Sequence, residues 1–323
     1  MDAVIVTGAA GFIGMHLAER LLDRGETVIG IDDFNDYYDR ALKAARAARL
    51  EAHPGFTMAR MDIADAPAFD TLVRQSGAQR IVHLAAQAGV RYSIDQPFAY
   101  ERSNLAGHLS VLEAARHNGV AHLVYASSSS VYGDRPIDGA GFKETDPVDA
   151  PVSLYAATKR ADELMSISYA KLYGFPMSGL RFFTVYGPWG RPDMAYFSFT
   201  QKILAGQPIE VYGDGKMARD FTYIDDIVDG IVGVLDHPPA QGGHEIYNIG
   251  DNDPVGLMEM ITTLEKALGQ EAAKVMRPMQ PGDVTATFAD ISKLSALTGY
   301  KPKVKLMEGL NRFAAWYRGF YPG

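Results

Sequence analysis

The segment Ala3-Val4-Ile5-Val6-Thr7-Gly8-Ala9-Ala10-Gly11-Phe12-Ile13-Gly14 limits the fold of this chain more than any other stretch. An apolar run, Ala3 to Val6, reads as a buried strand, and Phe12, Ile13, Leu17, Leu21 and Leu22 form one face of the helix that follows. Between them the chain turns through glycines spaced three apart. A side chain at Gly8, Gly11 or Gly14 would obstruct such a turn, and bare backbone there also lets a phosphate approach the first N–H groups of the helix. Either use explains the glycines alone; their place directly after the first strand favours the phosphate. Further apolar runs at Thr27–Ile31, Phe56–Asp62, Arg80–Leu84 and His122–Ala126 are separated by helix-compatible sequence. Five strand–helix units in a row feed a parallel sheet with helices on both faces.

The fold class expected is therefore α/β, a Rossmann-type doubly wound parallel sheet followed by a smaller mixed α/β substrate lobe. At 323 residues the chain is long for one core, and beyond Gly174 the strand–helix alternation gives way to shorter elements punctuated by Pro176, Pro188, Pro192 and Pro208. Asp220–Leu235 regains helical spacing of Ile and Val and could return to the first domain. The expected division is 1–175 plus about 220–240 for the dinucleotide domain, and 176–219 plus about 241–323 for the substrate lobe. With no cysteine there is no disulfide framework, thiolate metal site or cysteine nucleophile, which fits a cytoplasmic enzyme; no metal site is expected. A net charge of −8 with scattered basic residues argues against nucleic acid as partner. The start Met1-Asp2-Ala3 lacks a charged n-region and no apolar run approaches eighteen residues, so neither a signal peptide nor a membrane span is expected.

The second strand ends in Ile31-Asp32, eighteen positions beyond Gly14. A carboxylate there accepts hydrogen bonds from both hydroxyls of an adenosine ribose and repels a 2′-phosphate. Asp33 follows, and the next basic residue is Arg40, so no guanidinium stands ready to neutralise that phosphate. The cofactor expected is NAD. Asp62 and Ile63, ending the third strand, belong beside the adenine, although Asp62 alone could equally cap the next turn.

Tyr155-Ala156-Ala157-Thr158-Lys159 sets a phenol and an ammonium four residues apart, on one face if the segment is helical. In a chain with 17 tyrosines the spacing alone is weak, and Tyr212-Gly213-Asp214-Gly215-Lys216 repeats it in a sequence that reads as a turn. Tyr155 differs because good helix formers follow it until Gly174 and Pro176 stop the helix. A phenol of ordinary pKa about 10 becomes a usable base when a cation favours its phenolate. That suits a reaction in which a hydroxyl loses its proton while its carbon loses hydride. The run Tyr125-Ala126-Ser127-Ser128-Ser129-Ser130-Val131-Tyr132-Gly133 follows the fifth strand at the carboxyl edge of the sheet, where a serine either bonds the reacting hydroxyl or is merely part of a solvated loop.

Together these residues resemble the extended short-chain dehydrogenase/reductase family, and within it the nucleotide-sugar 4-epimerases that act on UDP-glucuronate. The resemblance covers essentially the whole chain. It rests on Gly8, Gly11 and Gly14, on Ser128 with Val131-Tyr132-Gly133, on Tyr155 with Lys159, and on Arg219-Asp220-Phe221-Thr222-Tyr223-Ile224-Asp225-Asp226. More specific to the glucuronate branch are Asp33–Asp39, the segment His83–Ser93 and the segment Arg181–Met194.

The resemblance implies that Tyr155 takes the proton of the C4 hydroxyl, that Lys159 bonds the nicotinamide ribose, and that Ser128 orients the hydroxyl and keto oxygens. It also implies that Leu84, Ala85 and Ala86 line the cofactor, that hydride passes to tightly held NAD and returns to the other face of a 4-keto sugar, and that the protein is a homodimer through the helix ending near His117 and the helix of Tyr155. Dehydratases and UDP-glucuronate decarboxylases of the family carry an acid where this chain has Ser130, and dehydratases another at Ser129; without them elimination has no acid/base pair. Ser129, Ser130 and Thr184, with Arg191 close by, are expected on the uronate side, Arg219 on the UDP phosphates and Asp283 on the uridine ribose, and Arg91 is expected among the substrate-binding residues. Arg191 and Arg219 could instead be ordinary ion-pair partners, and the arginine common three positions before Asp283 is here Gln280. The activity expected is reversible C4 epimerisation of UDP-glucuronate to UDP-galacturonate. The alternatives are a UDP-glucuronate decarboxylase, a UDP-glucose 4-epimerase, or a catalytically silent NAD-binding scaffold.

Overall fold

The computed structural model describes residues 3–135, 141–279 and 284–322. In the first half, β1 (Val4–Thr7), α1 (Phe12–Asp23), β2 (Val28–Asp32), α2 (Arg40–Glu51), β3 (Phe56–Arg60), α3 (Ala66–Ser76) and β4 (Arg80–His83) alternate as the apolar pattern requires. Short α4 (Tyr92–Asp95) and α5 (Pro97–Tyr100) lead through a widened helical turn at 101–106 into α6 (Gly107–His117) and β5 (His122–Ser128). Then follow α7 (Leu154–Tyr173), β6 (Met177–Phe182), β7 (Thr184–Tyr186), α8 (Ala195–Leu204), β8 (Ile209–Tyr212), β9 (Ala218–Tyr223), α9 (Ile224–Leu235) and β10 (His244–Ile249). The chain closes with β11 (Pro254–Gly256), α10 (Leu257–Leu268), β12 (Lys274–Arg277), β13 (Ala286–Thr287), α11 (Ser292–Thr298) and α12 (Leu306–Phe320).

Seven parallel strands form the central sheet in the order β10-β6-β5-β4-β1-β2-β3. Their side chains alternate between two cores. Val4 and Val6 join α1 and α9 residues such as Leu17 and Ile227, whereas Ile5 joins Phe69, Val111 and Ala170 from α3, α6 and α7. The strand order reverses between β1 and β4, which opens a crevice at the carboxyl ends of these strands. A smaller sheet, β11-β9-β13 with β7 also on β9, and the pair β8–β12 build the second lobe.

Two boundaries differ from the sequence reading. Strands β6 and β10, which a division at residue 175 assigns to the substrate lobe, are members of the central sheet. Asp220–Tyr223 is strand rather than helix; the helix begins at Ile224, and α9 does return to the first domain, where Asp229 pairs with Arg20 of α1. The strand is preferred there because Asp220, wholly buried, accepts hydrogen bonds from the backbone N–H groups of Asp251, Asn252 and Ala289, tying three segments of the lobe.

Candidate active site

The glycine-rich turn is as tight as its spacing implies. Gly8 has φ +71°, and a Cβ at Gly14 would lie 2.0 Å from the Gly8 carbonyl oxygen, at Gly11 2.8 Å from the same atom, and at Gly8 2.8 Å from the Ala85 nitrogen. Helix α1 begins at Phe12 on Gly11, which makes no side-chain cap bond, and its first turn lines the crevice. Thr7 fastens the adjacent strand ends: its hydroxyl oxygen accepts from the Leu84 and Ala85 N–H groups and bonds the His83 ring at 2.8 Å. His83 is thus a packed strand-end histidine, and burial, with the Lys159 charge, lowers it to about 3.

Asp32 ends β2 with its carboxylate accepting from the Ala10 and Phe34 N–H groups. Burial raises its pKa, partly opposed by a cation that the sequence reading overlooked. Lys43, itself buried, places Nζ 3.9 Å from Asp32 and 2.9 Å from the Asn35 side-chain oxygen. The nearest basic residue in sequence, Arg40, points instead to the exposed Asp36. Asp62 both caps its own turn, accepting from Ala64 N–H, and pairs with Arg102, while its side chain lines the same cleft as Ile63, Leu84, Ala85 and Ala86.

Helix α7 carries Tyr155 and Lys159. Ser153 caps it by accepting from the Ala156 N–H, and Gly174 ends it at φ +73°. Lys159 is almost wholly buried, donating to the Ala126 carbonyl at 3.0 Å and pairing with Asp162 at 3.1 Å. Burial raises Asp162 to about 6 against the pull of Lys159. The Tyr155 ring meets the edge of Tyr100, whose hydroxyl is held by the Ala88 and Gly89 carbonyls. By contrast, Tyr212 and Lys216 flank a tight turn at 213–215, as their glycines imply.

Ser128 closes β5 and accepts from the Ser130 N–H and hydroxyl. Beneath it Ser127 donates to Glu163, a fully buried carboxylate of α7 that also takes both ends of Arg181 from β6 at 2.8 and 2.9 Å. Arg181 continues to Tyr132, and Tyr132 to Asn248 of β10. Asn104, in the widened turn before α6, bonds Thr158 of α7 and the backbone of Gln87. Strand end, helix and crossover loop are therefore locked together around Tyr155.

Two clefts meet at this point. The first runs along Gly8, Gly11, Phe12, Ile13, Gly14, Asp32 and Asp62 to Lys159; the second continues past Ser129, Ser130, Thr184, Arg91 and Arg219 into the smaller lobe. Ser128, Tyr155 and Arg191 line both. Arg191 forms a two-pronged pair with Asp193; burial works against its charge, but Asp193 more than compensates and the pKa is raised. Tyr37 donates at 3.1 Å to Asp193 Oδ2, the oxygen that also takes Arg191 Nη2. Arg91 stacks over the Tyr212 ring, and Arg219 reaches the Ala218 and Val284 carbonyls. Asp283 lies outside the described residues, as does Gln280. Among the described residues no cluster of acidic and histidine side chains suits a metal ion, and no helix is long and apolar enough to cross a membrane.

Missed in the sequence were Tyr37, Lys43, Arg46, Asn104 and Asp193. Lys43 and Arg46 did leave a signal: they sit at i and i+3 on the stripe of α2 that Leu42, Ala47 and Leu50 mark as inward.

The model of the family described as NAD dependent epimerase/dehydratase matches residues 4–250. A curated, uncharacterised 37.6 kDa protein of Escherichia coli O111:H- is 50% identical over 98% of both chains. A probable UDP-glucuronate 4-epimerase of Rhizobium meliloti is 46% identical over 97% of this chain and 96% of its own. Among solved structures, a UDP-glucuronic acid 4-epimerase from Bacillus cereus, in complex with UDP-glucuronic acid and NAD, superposes with a TM-score of 0.92 at 36% identity, covering 99% of this chain and all of that one. A match running from β1 to the end of β10 spans every strand of the central sheet, and the chain belongs to the NAD dependent epimerase/dehydratase family.

Proposed function

We propose that the protein interconverts UDP-glucuronate and UDP-galacturonate by inverting C4 with bound NAD. The observation that carries this reading is the meeting of the two clefts at Ser128, Tyr155 and Arg191, with Lys159 one helical turn behind Tyr155. The names of the relatives from Rhizobium meliloti and Bacillus cereus support the same substrate and cofactor.

The glycine cradle fits a pyrophosphate, since only bare backbone fills it, and the carboxylate of Asp32 fits the ribose hydroxyls. Gly8, Gly11, Phe12, Ile13 and Gly14 would hold the phosphates of NAD, Asp32 its adenosine ribose, Asp62 and Ile63 its adenine, Leu84, Ala85 and Ala86 its middle, and Lys159 its second ribose. Bound there, NAD supplies a reversible hydride acceptor. Tyr155 takes the C4 hydroxyl proton and later returns it, while Ser128 donates to the C4 oxygen in both the alcohol and ketone states. Lys159, held by Ala126 and Asp162, keeps a positive charge beside the tyrosine during the transfer. Arg191, Thr184, Ser129 and Ser130 face the sugar carboxylate, so that the β-keto acid is held in an orientation that resists loss of CO2; Arg91 and Arg219 take the diphosphate side. Asp283 is proposed for the uridine ribose on the sequence alone. We also read the protein as a homodimer, because Leu109 of α6 and Leu164 and Leu172 of α7 stay exposed on adjoining helices.

The test is NMR of UDP-glucuronate incubated with the purified protein. The expected outcome is a UDP-galacturonate spectrum without net NADH, lost in Tyr155→Phe. A UDP-xylose product, unconverted UDP-glucuronate, or full turnover by Tyr155→Phe refutes the reading.

A further inference from the structure

We propose that Arg46 is a positioning residue that couples the cofactor turn to the loop presenting Arg191, and so sets the preference for a uronate over a neutral sugar. This rests on the carboxylate role given to Arg191 above. Among the described residues Arg46 is the largest fully buried side chain, and no carboxylate there lies within ion-pair range of it. An unpaired buried charge is costly unless every donor is engaged. Here every donor is. Nη1 donates to the Ala10 carbonyl at 3.1 Å and to the Tyr38 hydroxyl at 2.6 Å. Nε and Nη2 both donate to the Trp189 carbonyl, at 3.1 and 2.6 Å, and Nη2 also to the Gly190 carbonyl at 3.0 Å.

One guanidinium thus joins the middle of the glycine-rich turn to the two residues before Arg191. Those two residues need the help. Trp189 has φ +61°, a region that non-glycine residues seldom occupy, and such strain persists only where the surroundings impose it. Its indole is fixed against Trp316 and Phe320, which leaves Arg46 to fix its carbonyl. Gly190 has no room for a side chain, because a Cβ would fall 1.8 Å from the Tyr196 hydroxyl. On the far side of Arg191, Asp193 is held by Tyr37, six residues before Lys43 and nine before Arg46. The segment that follows the ribose carboxylate therefore grips the Arg191 loop before and after the arginine itself.

Neither lysine nor methionine can reproduce this fork, and methionine leaves the Ala10, Trp189 and Gly190 carbonyls without their donor. In Arg46→Met holoenzyme the affinity for UDP-glucuronate is expected to fall about tenfold, the size of one misdirected charge-assisted hydrogen bond, with that for UDP-glucose nearly unchanged. Calorimetric titration of both nucleotides reads this ratio, and steady-state kinetics should place the loss in KM rather than kcat. Gly190→Ala disturbs the same loop from the other side with Arg46 intact and should give the same signature; it decides the matter if Arg46→Met does not fold. Equal weakening of both nucleotides, or an unchanged ratio, overturns the proposal. A wild-type protein that shows no preference for the uronate instead defeats the role given to Arg191.

Discussion

Replacing Glu163 by glutamine removes a single charge from the centre of the site's support. Glu163 is completely buried and accepts from Arg181 at 2.8 and 2.9 Å, from Ser127 at 2.6 Å and from Arg160 at 3.0 Å. Burial alone would raise its pKa, but Arg181 and the other donors hold it below the ordinary carboxylate value. In Glu163→Gln, Arg181 keeps Tyr132 and the Glu144 carbonyl but loses its counter-ion inside the protein. Breaking a buried pair in this way costs about 3–5 kcal/mol. The retained neutral partners put the expected loss near the lower end, about 3 kcal/mol. With an unfolding entropy of roughly 2.1 cal/mol/K per residue over 323 residues, a loss of that size lowers Tm by about 4 °C. The assay is calorimetric melting of the holoprotein with parallel turnover measurements, since Ser127 adjoins Ser128 and a shifted strand end should lower kcat as well. The double variant Glu163→Met/Arg181→Met removes both charges at similar volume and should return to within about 2 kcal/mol of wild type. A single variant that costs less than about 1 kcal/mol, or a double variant worse than the single one, would refute the view that the pair is held by mutual compensation.

Gly14→Ala should yield folded protein stripped of NAD, because its Cβ has no space against the Gly8 carbonyl; the A260/A280 ratio of the purified protein checks this, and stoichiometric NAD contradicts it. Asp32→Ser should gain binding of NADP by about tenfold, since Lys43 then faces the 2′-phosphate, and adding Lys43→Met should cancel the gain in fluorescence titrations. His83 titrates near 3 in the folded protein and near 6.5 when unfolded, so the unfolded chain alone takes up that proton below pH 6.5. Stability falls as pH drops from 6.5 towards 3, by about 1.4 kcal/mol per unit for this group, and His83→Gln should flatten the denaturation profile by that slope.

The central sheet was largely legible. Thr27–Ile31 and the observed Val28–Asp32 differ by one residue at each end, because unbroken apolar runs mark strands buried on both faces. Strands β6 and β10 escaped because their buried positions include Ser178, Arg181 and Asn248, polar residues whose partners lie far away in sequence. Tyr155 and Lys159 were legible because the helix formers after Tyr155 and the stop at Gly174 put the pair on one helix, and the glycine turn was legible through its spacing. Asp193 was not, since a pair two residues apart in a loop has no period. Arg46 and Lys43 were masked by charge, which reads as a solvated face until distant carbonyls and a carboxylate are seen around it.

The membership of β6 and β10 in the central sheet bears on the order in which the chain can fold during synthesis. Five strands are complete once residue 128 has left the ribosome, but the free edge of β5 is covered only by β6, and that of β6 only by β10, which ends at residue 249. At roughly 5–20 residues per second, some 70 residues separate the last two strands and leave an unpaired edge exposed for several seconds. Such an edge is a template for pairing between nascent chains on one message. A fragment cut at residue 175 lacks β6 as well, so the edge of β5 would stay unpaired and the fragment should aggregate rather than bind dinucleotide.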